Sequence, residues 1–133
     1  MITFPQSDTF HTIAQIVIGS VWVFHGLYSK ILNGIPRHRL IVAKVLGARH
    51  AASATRAIGF LEVLLGIWIY TGWEPAVCAI VQTAALISMN ALEISRAREL
   101  LISAWGMVLL NLAFLALIWY WALLTPTPDP TSF

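Results

Sequence analysis

Leu100-Leu101-Ile102-Ser103-Ala104-Trp105-Gly106-Met107-Val108-Leu109-Leu110-Asn111-Leu112-Ala113-Phe114-Leu115-Ala116-Leu117-Ile118-Trp119-Tyr120-Trp121-Ala122-Leu123-Leu124 carries no charged residue at all. A run of about 20 apolar residues is what a helix needs to cross the hydrocarbon core of a bilayer. A globular helix apolar on every side would need covering on every side by other protein, and a chain of 133 residues has none to spare. Reading outward from this run, three more segments have the same character. The first spans about 12–32, the second about 53–73, and the third about 75–94, with Pro75 placed for a first helical turn. Composition agrees: 59% of residues are hydrophobic and 11% charged, and mean hydropathy is +0.79. The expected fold is an all-α, integral membrane four-helix bundle forming a single membrane domain over 1–133.

The connections differ in kind. Gly72-Trp73-Glu74-Pro75 and Ser95–Glu99 read as short turns, and the tail 125–133, with Pro126, Pro128 and Pro130, stops the last helix and has no core of its own. Between spans one and two lies a longer segment, 33–52. There Pro36 can open a helix and Gly47 can follow its last turn, and Arg37, His38, Arg39 and Lys44 alternate with Leu40, Ile41, Val42, Val45 and Leu46. That pattern fits a short basic interfacial helix, and equally an amphipathic packing helix.

All eight basic residues fall on one side of the fourfold crossing. Lys30, Arg37, Arg39, Lys44, Arg49 and Arg56 flank the first link, and Arg96 and Arg98 the third. Lys and Arg are retained on the cytoplasmic side of short loops, so the expected topology is a multi-pass protein of the cell inner (cytoplasmic) membrane with both termini outside. Trp68, Tyr70, Trp73, Trp119, Tyr120 and Trp121 then mark the outer interface. The first apolar run follows an uncharged start and is read as a span, not a leader. The same charge map argues against nucleic acid as a partner, because no groove-reading or base-stacking motif accompanies the basic cluster. Cys78, the only cysteine, lies in an apolar run and reads as a small buried hydrophobe.

Polar residues within the spans carry the chemical information. Glu62 lies well inside span two, where a carboxylate must face the bundle interior and find a partner. Gly59 and Gly66 share its helix face, and Gly19 and Gly26 flank Trp22 at the same spacing, marking faces for close helix contact. Counting residues from the basic end of each span puts His25, Glu62 and Asn90 at one level, each about 8–9 Å above the boundary. A polar intramembrane layer of His25, Glu62, Asn90, Trp22 and Lys30 is the candidate binding site, with Lys30 or Arg56 an alternative partner for Glu62. Such a layer can hold a small head group or relay a proton, and it can equally be a buried network that sets bundle geometry. Gln82 and Asn111 read as interhelical glue. His11, His38 and His50 lack partners at metal-ligand spacing, so no metal site is expected, and no catalytic residue can be named.

The run Trp22-Val23-Phe24-His25-Gly26-Leu27-Tyr28-Ser29-Lys30-Ile31-Leu32, the basic segment after it, and Gly59-Phe60-Leu61-Glu62-Val63-Leu64-Leu65-Gly66 together resemble the DoxX-like membrane proteins. A glycine–lysine motif ending the first span and G-x-x-E-x-x-x-G in the second are the features shared. The resemblance implies a four-helix membrane bundle. Its best-known relatives are linked to quinone-reducing oxidoreductases, notably thiosulfate:quinone oxidoreductase, while most members have no assigned activity. Some similar segments follow soluble nucleotide-binding domains, which would put their N-terminus inside, opposite to the charge map here. The leading expectation is a membrane subunit or accessory of a quinone-linked redox system. Quinone would be the bound cofactor, no cofactor would be intrinsic, and a redox partner protein or a homo-oligomer would complete it. Electrons must come from a partner, because a lone span histidine cannot supply the two axial ligands of a b-type haem. The rivals are a small oligomeric transporter or channel, to which an intramembrane acid also points, and a purely structural assembly subunit.

Overall fold

The computed structural model describes residues 5–124, with side chains described from residue 9 onward; the tail expected at 125–133 lies outside the described residues. Five helices follow one another: α1 (Pro5–Val23, continuing as a widened π-helical stretch, Phe24–Ile31), α2 (Pro36–Leu46), α3 (Ala48–Thr71), α4 (Pro75–Arg96) and α5 (Ala104–Leu123). A single 3₁₀ turn, Arg98–Leu100, precedes α5, and no strand occurs among the described residues. Four helices are long and apolar enough to span a membrane: 9–31, 48–71, 75–96 and 104–123.

Local chemistry sets most boundaries. Pro36 and Pro75 each open a helix, where a missing N–H costs nothing. Gly47 alone separates α2 from α3, at φ 95° and ψ 152°, a conformation that side chains with a Cβ avoid. That sharp break folds α2 back against α3. Ser103 caps α5, its hydroxyl accepting from the Gly106 N–H at 3.0 Å. The α4–α5 link therefore runs through 97–103, longer than the Ser95–Glu99 turn expected. α1 begins at Pro5, ahead of the start expected near residue 12, so His11 lies inside the helix. It is buried at that end, its Nε2 2.9 Å from the Trp121 carbonyl oxygen. α3 begins at Ala48, ahead of the expected 53, and extends the second span into the basic segment.

The close approaches organise the bundle. α1 packs along α3, with Gly19 and Gly26 against Gly66 and Gly59. A Cβ on Gly59 would sit 2.6 Å from the Gly26 carbonyl oxygen, and one on Gly66 2.8 Å from that of Gly19. Only glycine permits backbones this near, which is how helices gain contact where apolar burial supplies no drive. The glycine pairs picked out along each helix therefore face one another across an antiparallel crossing.

α4 packs on α5, and α1 touches α5 to join the two pairs. The core between them holds Ile18, Trp22, Ile69, Cys78, Ala79, Leu86, Ile118 and Trp121. Trp22 Nε1 donates to Gln82 Oε1 at 2.8 Å, tying α1 to α4, and Trp119 Nε1 donates to Thr83 Oγ1 at 3.0 Å, tying α5 to α4. The basic segment is helical, and α2 packs on α3 and α4 through buried Ile41 and Val42. Lys44 on α2 meets Glu99 in the α4–α5 link at 3.0 Å, so α2 and that link occupy the same end of the bundle.

Candidate functional site

The π-helical stretch is the local feature from which the site is built. Its bonds reach one residue further than those of an α-helix, as where the Leu32 N–H meets the Leu27 carbonyl at 2.9 Å. Asn33 then takes a left-handed conformation, φ 54°, and the Gly34 N–H bonds the Tyr28 carbonyl at 2.7 Å, ending the first span. π segments within α-helices are frequent at functional sites. Here Gly26, Ser29 and Lys30 lie on the buried side.

Lys30 and Glu62 form an ion pair within the bundle. Nζ lies 2.9 Å from Oε1 and 3.1 Å from Oε2, with the hydrogen bond directed at Oε2 and Oε1 taking none. The two side chains are 11% and 6% exposed. Of the two basic partners open to Glu62 from sequence, Lys30 is the one it meets.

Four neighbours lie around the pair. His25 stacks on His38 of α2, centroids 5.8 Å apart and planes 22° from parallel. Arg37 and His38 sit within electrostatic range of Lys30 or its partners, and so does Glu93, half-buried on α4 and acted on by Lys30, Arg37 and Glu62. His38 is held low, at about 4 against the ordinary 6.5, first by burial and then by the positive charge of Lys30 and the proximity of His25 and Arg37. It is therefore neutral at physiological pH. Ser29 Oγ, Asn33 Oδ1, Arg37 Nε, His38 Nδ1 and Arg39 Nε are buried and make no hydrogen bond, which places unused polar capacity in residues 29–39 beside the pair.

Of the five side chains expected to form one layer, Lys30 and Glu62 pair, and His25 lies near Lys30. Trp22 bonds Gln82, and Asn90 serves α5: its Oδ1 accepts from Asn111 Nδ2 at 2.8 Å while its own Nδ2 donates to the Leu86 carbonyl at 2.7 Å. No hydrogen bond joins Trp22 or Asn90 to Glu62. Equal depth along separate helices does not amount to contact, because each side chain also has an azimuth. Sequence spacing does not mark Glu93, Arg37 and His38 as members of the cluster. Glu93 still had a usable signal, three residues before Arg96 and three after Asn90 on a span otherwise free of acids. Among the described residues no three His, Cys, Asp or Glu side chains converge as a metal-binding group.

Four spanning helices, glycine-mediated crossing and a buried ion pair at one end define a small multi-pass helical membrane protein. The chain belongs to the DoxX-like family, whose sequence model matches residues 19–119, which hold the second and third spans entire, most of the fourth, the second half of the first and the whole cluster. Comparisons with curated proteins and with solved structures found no match.

Proposed function

We propose that this chain is a membrane subunit or accessory of a quinone-linked redox system, and that the cluster around Lys30 and Glu62 receives the quinone head group. The observation that carries this reading is the buried Lys30–Glu62 pair beside the stacked His25 and His38. Charge inside a membrane is expensive and generally marks a ligand or proton path. A quinone carbonyl accepts hydrogen bonds, which Lys30 Nζ and a neutral imidazole can donate. Reduction to the quinol takes two electrons and two protons. The electrons come from a partner protein, and the acid and imidazole groups lie where protons are needed.

In this reading the cluster end faces the cytoplasm, both termini face outward, and α2 lies along the inner surface with Arg37, Arg39 and Lys44 near anionic lipid. The test is photolabelling in native membranes with a short-tailed azido-quinone. Saturable labelling of peptides from 24–46 or 55–63, competed by unlabelled quinone, supports the proposal. Labelling that does not saturate, together with no redox protein co-purifying in mild detergent, overturns it.

A further inference from the structure

We propose that the α4–α5 face carrying Asn90 and Asn111 is the surface through which two copies of this chain associate in the bilayer. A groove of about 180 Å³ lies there, lined by Ile87, Asn90, Val108, Asn111, Leu112 and Leu115. Asn111 is seven residues into α5, about 10 Å from its start, within the hydrocarbon core. Asn111 Nδ2 donates to Asn90 Oδ1, which leaves one N–H on each amide unused. Asn111 Oδ1 accepts no bond and is not sealed beneath other atoms. An amide with a free donor and a free acceptor is costly against acyl chains.

A primary amide is complementary to itself. A second Asn111, brought up by a twofold axis, satisfies donor with acceptor twice over in a self-matching contact. Ile87 and Leu112, both more than half exposed, flank the groove and supply apolar ridges for the partner's groove. The acyl chain of a lipid can fill the same volume but leaves the amide unmet. Asn is among the polar side chains that hydrogen-bond across helices in membranes.

Leu112→Cys in a Cys78→Ser background, reconstituted in liposomes, should cross-link to itself on oxidation. Ile16→Cys, exposed on α1 away from this face, should not. The Leu112→Cys product should fall on dilution with lipid, as an equilibrium requires. Adding Asn111→Leu should lower the dimer equilibrium constant about tenfold, while the tryptophan spectrum of the folded chain is kept. Equal cross-linking at both positions, no effect of Asn111→Leu, or a chain monomeric at every lipid ratio would each overturn the proposal. So would a monomer whose Leu112→Cys thiol is shielded from maleimide by bound lipid.

Discussion

Replacing Glu62 with Gln strands the Lys30 ammonium where it is 11% exposed, and replacing Lys30 with Met strands the carboxylate. At about 3 Å and an effective dielectric near 20, the charges attract by about 5 kcal/mol, against a desolvation cost of several kcal/mol per ion. The pair therefore yields little net stability, whereas removing one member is expected to cost about 3–5 kcal/mol. Removing both should cost much less than the sum of the single losses, a coupling of about 3 kcal/mol. The assay is unfolding of Lys30→Met, Glu62→Gln and the double variant in mixed micelles with rising SDS, followed by tryptophan fluorescence. Losses adding to within about 0.5 kcal/mol would refute the reasoning, because independent sites add and coupled sites do not.

Gly26→Ala should force α1 and α3 apart, since its Cβ would meet the Gly59 carbonyl oxygen and the amide nitrogen and Cγ2 of Val63. A loss of about 1–3 kcal/mol is expected in the same unfolding assay. Gly106→Ala, whose Cβ meets only the Ser103 side chain at 3.2 and 3.3 Å, should stay within about 0.5 kcal/mol of the parent. A reporter active only in the cytoplasm, fused after Phe133, should stay silent; a strong signal reverses the orientation. Spin labels along α2 should show periodic, shallow immersion at neutral pH. His38 binds its proton at about 4 when docked and near 6.5 when released, so the released form takes up more protons between those values. Docking of α2 is thus fully favoured above about 6.5 and weakens as pH falls toward about 4, and label mobility should rise over that window. Mobility flat across it would show that His38 is not part of the docked contact.

The fold was legible because its cause is one-dimensional: uncharged runs such as 100–124 demand a bilayer whatever their neighbours do. The helix starts at Pro36 and Pro75 and the break at Gly47 were legible because each residue restricts its own backbone. Glu62 announced its inward orientation through Gly59 and Gly66, on the same face. What sequence distance could not supply was rotation. Asn90 has the depth of Glu62 but points to Asn111, and Lys30 sits at the span's end yet turns inward. That turn depends on the π-helical stretch, whose wider bonding leaves no periodic mark in an eight-residue segment. Glu93 and His38 join the cluster through packing of α2 and α4, long-range geometry that no local pattern encodes.

The widened stretch acts as a phase converter on the first span. Upstream, Gly19 and Val23 must face Gly66 in ordinary α-helical register; downstream, Lys30 must face Glu62 while Gly26 still meets Gly59. Every residue of an α-helix advances about 100° around the axis, so those requirements are angular as much as linear. The stretch from Phe24 to Ile31 absorbs the mismatch between them by turning more slowly. Loss of one residue there would swing Lys30 by about that angle, toward the lipid, and leave Glu62 unanswered. Length in this part of the chain is accordingly under tight constraint, and substitutions within 24–31 other than at Gly26 and Lys30 should be borne far better than deletions.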